Sequence, residues 1–271
     1  MALTSQDVVT EDSISAMVQA QTEATYGFRR AFRDHTPGDG SGPSMKFPLT
    51  EEGFEGAMRE IPENTEYPRF EKEYGDVEAV YTKYGFEAPI SDEALEDGVL
   101  DVELDNTQSI IREETRRLNA IAYGVLSANL NSEVVGNDDD NLTFDEVVDA
   151  RAEHRSQEYA PDLLLVDSFG AATILKSDAF KLRDTPVGDR AVQEGFIGAV
   201  AGLDIFETNS GQLGSNNGIM VDTSRYGYES AKDRSDVTSY REEKKDQTVY
   251  KIKDRLDWVS TDPGAALKLT G

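Results

Sequence analysis

Residues 109–126 read SIIREETRRLNAIAYGVL, and the spacing of their apolar side chains decides the central element of the chain. Ile111, Leu118 and Val125 fall seven apart, and Ile121, Ala122 and Leu126 widen the stripe, as one buried face of an α-helix requires. Arg112, Glu113, Glu114, Arg116 and Arg117 form a charged face, with Glu113 and Arg117 spaced for an i,i+4 pair. The pattern predicts a helix over 107–130, roughly 36 Å long at 1.5 Å per residue, which is long for a globular domain.

Upstream, SDEALEDGVLDVE (91–103) reads as a short helix with Asp92 and Glu93 in its first turn. Before it, RFEKEYGDVEAVYTKYGFEAPI (69–90) reads as a long hairpin turning at Tyr74-Gly75-Asp76, with Val77, Ala79 and Tyr81 alternating against Glu78, Val80 and Thr82. Such a hairpin has little core of its own and needs another surface to lie on. TPGDGSGPS (36–44) is a Gly- and Pro-rich connector. Residues 1–35 begin polar and then turn helical through Ile14, Met17, Val18, Ala24, Phe28 and Phe32, with Thr10 or Asp12 as a cap and Arg29, Arg30 and Arg33 gathered at the end that favours cations. Downstream, a helix is expected over 142–160 with Phe144, Val147, Val148 and Ala152 on one face. A buried strand follows at Leu163–Val166, a short helix at Ser168–Leu175, and strands at 203–207 and 218–222. QTVYKIKDRLDWVST (247–261) alternates, with Val249, Lys251 and Lys253 opposite Tyr250 and Ile252; Pro263 breaks it, and residues 265–269 form a last strand. The class is α+β.

Composition narrows the function. The 271 residues carry 27 Lys and Arg against 53 Asp and Glu, a net charge of −26, with no Cys and two His. That excludes a basic nucleic-acid reader, thiolate metal sites, Cys nucleophiles and a multi-histidine centre. No apolar run is long enough to span a membrane, and the N-terminus has neither a signal peptide nor a transit peptide. The acid is spread along the chain: residues 1–135 carry 27 acidic groups and residues 136–271 carry 26. A protein so charged repels itself in dilute buffer, while near 1 M salt the Debye length of about 3 Å removes most of that repulsion. The charge therefore reads as adaptation to a very salty medium.

Catalytic motifs are missing. There is no phosphate-cradling Gly loop, no H-E-x-x-H and no nucleophile elbow, since Val166-Asp167-Ser168-Phe169-Gly170 lacks the leading Gly. No cofactor is expected. Asp138, Asp139 and Asp140 are weak candidates for a hard cation, but a calcium loop read from Asn137 has Leu142 where Gly belongs and Val148 where Glu belongs, so a solvated acidic turn is the simpler reading. Asn141-Leu142-Thr143 fits a glycosylation sequon. An arm, a hairpin without its own core and no active site together suit a chain completed by copies of itself.

Four stretches, in order, resemble one family: KYGFEAPISDEALEDG (83–98), residues 109–126, residues 162–211 with DLLLVDSFGAATILKSDAF at their start, and YKIKDRLDWVSTDPGAALKLT (250–270). The chain resembles the major capsid proteins of tailed double-stranded DNA viruses, the Hong Kong 97-like fold, and its acidity suggests a virus of halophilic archaea. The resemblance implies an N-terminal arm at 1–45, an extended β-hairpin loop at 46–90, a peripheral domain with a long spine helix at 91–150, an axial domain at 151–224 and a return to the peripheral domain at 225–271. It implies a non-enzymatic subunit that self-assembles in the host cytoplasm into hexamers and pentamers of an icosahedral virion shell. That shell encloses double-stranded DNA without reading its sequence, with portal, scaffolding and decoration or minor capsid proteins as further partners. Arg29, Arg30, Arg33, Arg69, Lys72, Lys83, Arg116 and Arg117, scarce cations in an acidic chain, are the expected inter-subunit contacts, intramolecular surface pairs being the competing reading. Some members cross-link a loop Lys to a late Asn; here no Asn follows Asn217, so that bond is not expected. With little chain ahead of the arm, scaffolding is expected from a separate protein. The alternative is an encapsulin-like nanocompartment shell that encloses cargo enzymes.

Overall fold

The apolar stripe of residues 109–126 is buried along one helix: Ile111, Leu118, Ala122 and Leu126 are nearly inaccessible. That helix, α1, runs Asp101–Ala128 and so starts six residues earlier than its periodicity suggests. The computed structural model describes residues 27–38, 42–49, 75–92, 101–130, 132–135, 142–177, 196–200, 202–208 and 211–270, with 58, 60–63, 65–67 and 69 between them. Most of the short helix expected at 91–103, the cation loop Asp138, Asp139 and Asp140, and the predicted helical positions Ile14, Met17, Val18 and Ala24 lie outside the described residues. The charged face of α1 needs correction: Glu114, Thr115 and Asn119 are buried. Glu114 sits between Ile111 and Leu118, at the i+3/i+4 positions that face the core.

Below α1 lies a four-stranded sheet of β1 (Arg33–His35), β4 (Thr82–Ser91), β10 (Gly227–Glu242) and β11 (Gln247–Ser260), in the order β1-β10-β11-β4. β10 and β11 form a long antiparallel hairpin, and β4 adds antiparallel to β11 from Gln247↔Ser91 to Leu256↔Thr82. Gly227 opens β10 where a Cβ would meet the Val259 carbonyl oxygen at 2.2 Å, so the close strand approach requires glycine there. The end of the predicted N-terminal helix is different: Phe28–Ala31 is one 3₁₀ turn, and Arg33–His35 pairs parallel to β10.

The hairpin predicted around Tyr74 is also different. β3 (Asp76–Val80) pairs with β2 (Ser44–Pro48), antiparallel from Ser44↔Val80 to Pro48↔Asp76. β4 continues the same strand direction but pairs with β11, so alternation identified the strand and misassigned its partner. The core missing from the pair is supplied from the body, with Phe47 and Ala79 packed on Val259.

A six-stranded sheet, order β5-β12-β9-β6-β8-β7, joins β5 (Ser132–Val135), β6 (Leu163–Val166), β7 (Phe196–Val200), β8 (Leu203–Glu207), β9 (Asn217–Val221) and β12 (Ala266–Thr270). All four residues of β6 are buried, as its unbroken apolar run requires of a central strand covered on both faces. One face packs on α2 (Phe144–Ser156) and α3 (Ser168–Lys176) through Leu164, Val166, Ile205, Val147 and Ile174. Thr143 caps α2 with a reciprocal box, its hydroxyl accepting from the Glu146 amide at 3.3 Å while Glu146 accepts from the Thr143 amide at 2.7 Å. The buried face of α2 is Val147, Ala150 and His154; Val148 and Ala152 are exposed, one position off the predicted face. The other face of the sheet joins α1, the 3₁₀ turn and the inner side of the four-stranded sheet in one core that contains Phe28, Leu118, Leu165, Tyr226 and Trp258.

Candidate assembly elements

Two elements, the N-terminal segment and the β2–β3 pair that replaces the hairpin expected at 69–90, are rooted on the four-stranded sheet. Phe28 and Phe32 are buried in the central core, and the Phe28 amide donates to the Asn119 side chain on α1 at 3.3 Å. Arg29 forks onto Glu229 of β10, with its Nε 2.6 Å from Oε2 and a second contact from its terminal nitrogen to Oε1. Glu229 is 1% exposed and also accepts from the Trp258 indole at 3.0 Å. Arg234 bridges it at 3.0 Å to Asp34 at 2.7 Å. A carboxylate that loses its water is tolerable only with such donors around it. Arg30 stacks over Phe206 at 4.1 Å and Arg33 over Tyr228 at 4.2 Å.

The β2–β3 pair is held at its base. The Val80 amide donates to Asp257 on β11 at 2.8 Å, and the Tyr81 hydroxyl lies 2.9 Å from Ser230 on β10. Burial raises the Asp257 carboxyl, while the Val80 and Trp258 amides oppose that shift. Away from this base the pair is open, with Lys46 and Asp76 forming an exposed ion pair, and at the base itself the Val80 side chain is 54% exposed. Met58 and Tyr67, in the stretch between the two strands, are also exposed.

The eight predicted contact cations therefore separate. Arg29, Arg30 and Arg33 lie in contacts within the chain. Arg116 pairs with Glu113 at 2.8 Å, an i,i+3 bridge in place of the expected Glu113–Arg117 pair. Arg69, Lys83 and Arg117 are exposed; Lys72 lies outside the described residues. The buried charge network of Glu229, Arg234 and Trp258 escaped sequence reading, because β10 is too polar to mark itself as a core strand. His154 is buried, and its Nε2–H donates to the Gly264 carbonyl at 3.0 Å. Among the described residues no three acids or histidines gather as a metal site, and no helix is long and apolar enough to cross a membrane.

The architecture is two packed sheets, one long helix and a strand pair rooted on the body, and it recurs in solved capsid structures. A capsid structure of cyanophage P-SCSP1u superposes with a TM-score of 0.67 at 11% identity, covering 100% of this chain and 92% of that one. A structure from Mycobacterium phage Che8 gives 0.60 at 15% identity, covering 84% and 85%. A virus-like particle from Pyrococcus furiosus gives 0.59 at 11% identity, covering 95% and 98%. No curated protein matches the sequence. The family described as phage capsid protein matches residues 76–269, and the chain belongs to it. Its fold is α+β and similar to Hong Kong 97-like capsid proteins. The role is structural, not enzymatic, and the family implies a place in the virion capsid.

Proposed function

We propose that this chain is a major capsid protein whose hexamers and pentamers close an icosahedral shell around double-stranded DNA. The family match over residues 76–269 carries this reading. In it, α1 is the spine helix of a peripheral domain formed by residues 91–150 and 225–271, residues 151–224 form the axial domain, residues 1–45 the arm and 46–90 the extended loop. Arg69, Lys72, Lys83 and Arg117 are the cations offered to neighbouring subunits, since Arg29, Arg30 and Arg33 have partners within the chain. Many weak contacts between subunits add up through multivalency. With a net charge of −26 the inner surface cannot hold DNA by strong attraction, so confinement holds it, with cations between. Assembly takes place in the host cytoplasm with portal, scaffolding and decoration or minor capsid proteins.

The acidity supports a salt-dependent shell, as in a virus of halophilic archaea. Electron microscopy of the expressed protein in molar salt is expected to reveal closed shells that swell or fall apart as salt drops to about 0.1 M, where the Debye length returns to about 10 Å. A monodisperse monomer at high concentration and high salt overturns the shell reading, and shells indifferent to salt overturn the salt reading alone. The similarity to the Pyrococcus furiosus virus-like particle keeps an encapsulin-like compartment as the second reading. Shells that enclose protein cargo and no nucleic acid would favour it.

A further inference from the structure

Glu114 of α1 and Asp254 of β11 meet where the helix crosses the four-stranded sheet. Their residues are 4% and 3% exposed. Ser235, at the irregular register of β10 and with a left-handed φ of 49°, serves both: its amide donates to Asp254 Oδ1 at 2.8 Å and its hydroxyl to Glu114 Oε1 at 2.9 Å. A non-glycine residue held at positive φ is strained, so this bulge is maintained by its surroundings. Glu114 Oε2 is buried and has no protein donor. Ser235 thus holds the two buried carboxyls side by side. A second ionised carboxylate there would be dry, unpaired and beside a like charge, so one of the pair must carry a proton.

We propose that the contact between α1 and the four-stranded sheet is a proton-dependent joint: one proton shared by Glu114 and Asp254 holds it closed, and loss of that proton loosens the helix from the sheet. The charges around the pair do not substitute for the proton. Arg29, from the 3₁₀ turn, is bonded to Glu229, and its charge favours both carboxylates without offsetting their burial. On β10, Glu229 adds like charge, and Arg234 is shared by Glu229 and Asp34. Lys253, next to Asp254 on β11, pairs with Asp233 and Asp236 of β10. Glu113 and Arg117 of α1 and Tyr84 of β4 line a cleft of about 320 Å³ beside the pair.

Burial first, and then the Asp254 charge, raise Glu114 to about 8; burial also raises Asp254, and the Ser235 amide first offsets part of that rise, which places the proton on Glu114. The sign follows from linkage. The unfolded carboxyl titrates near 4.5 and the folded one near 8, so the folded state holds the extra proton between those values. Stability from the pair is full below about 4.5 and is lost as pH rises through about 8.

The test is amide hydrogen exchange on the full chain in 1 M salt from pH 6 to 9.5, corrected for intrinsic exchange. It compares the wild type with E114Q, which replaces the shared proton by a permanent amide donor, and with D254N. Salt at that level screens surface charge and leaves a buried pair largely unscreened. Protection in α1 and the central part of β11 is expected to fall roughly tenfold or more in the wild type, to stay flat in E114Q, and in D254N, which keeps the buried Glu114 but loses the Asp254 charge, to fall at a lower pH than in the wild type, with β6 as the unchanging reference. A flat wild-type profile, or variants that fall as the wild type does, overturns the joint. The wild type alone gives a second reading in the infrared: a protonated-carboxyl band that persists at pH 7 is expected, and its absence refutes the shared proton even if neither variant folds. Because these readouts concern the chain and not the shell, they can fail independently of the proposed function.

Discussion

The two sheets solve the same packing problem with different chemistry. Around β6 the buried side chains are Leu164, Val166, Ile205, Met220, Leu267 and Leu269, and nothing among them titrates. Along β10 and β11 the buried set includes Glu229, Ser230, Ser235 and Asp254, and the elements packed on them supply Arg29 and Glu114. Hydrocarbon burial is non-directional and indifferent to pH, whereas buried charge holds only while every partner is in place. The first arrangement suits a rigid body. The second fixes one geometry of helix, N-terminal segment and sheet, and makes that geometry sensitive to solution conditions.

The largest effect tests that contrast most directly. Glu229→Ala removes the carboxylate shared by Arg29, Arg234 and the Trp258 indole. Leaving buried donors unpaired is expected to cost about 3–5 kcal/mol in denaturant unfolding. Replacing Arg29 and Glu229 together by apolar residues should recover part of that loss, because the desolvation penalty goes with them. If Glu229→Ala costs less than 1 kcal/mol, the four-stranded sheet is not held by its charges. Leu164→Ala, fully buried in the other sheet, is expected to cost about 2–5 kcal/mol through lost burial and a cavity. That loss should be the same at pH 6 and pH 9; a pH-dependent loss would blur the distinction between the two regions.

How much of this was legible follows the same division. The apolar stripe of α1, the run Leu163–Val166 and the strand beginning at Leu203 were readable because their burial is hydrophobic and periodic. β10 was not, because polar residues such as Glu229, Ser230 and Ser235 occupy several of its buried positions. Glu114 read as surface by residue type, although its position between Ile111 and Leu118 placed it on the buried stripe. Asp254 likewise falls in step with Ile252, Leu256 and Trp258, a period of two that marks it as inward. Strand partners were the least readable feature: β3 alternates as a hairpin strand should, but nothing local to it specifies β2. The scarce arginines pointed to contact points, and sequence distance alone could not tell that Arg29 meets Glu229, 200 residues away.

His154 gives the six-stranded side a pH response of opposite sign. Burial lowers its pKa below 6.5 even though the Gly264 carbonyl pulls it up. The unfolded chain therefore binds the proton first as pH falls, so the stabilisation is present above 6.5 and is lost as pH drops through the lowered folded value. His154→Gln should flatten the acid limb of a stability profile below pH 6.5 and leave the alkaline limb, where Glu114 and Asp254 act, unchanged. If both limbs move together, the two regions are coupled and the division drawn between them fails.

The smallest effect completes the comparison from the surface. Glu113 and Arg116 form an ion pair on the same helix as Glu114, one residue away from it, with side chains 52% and 78% exposed. Water already solvates both groups, so the pair adds little. Glu113→Ala is expected to cost about 0.2–0.5 kcal/mol, and that cost should vanish in 1 M salt, where the Debye length is about 3 Å. Glu114→Gln, one position further along, should behave oppositely, with an effect set by pH and nearly independent of salt. Neighbouring glutamates that respond to different variables would show that burial, and not residue type or net charge, determines which of the 53 acids in this chain shape its structure.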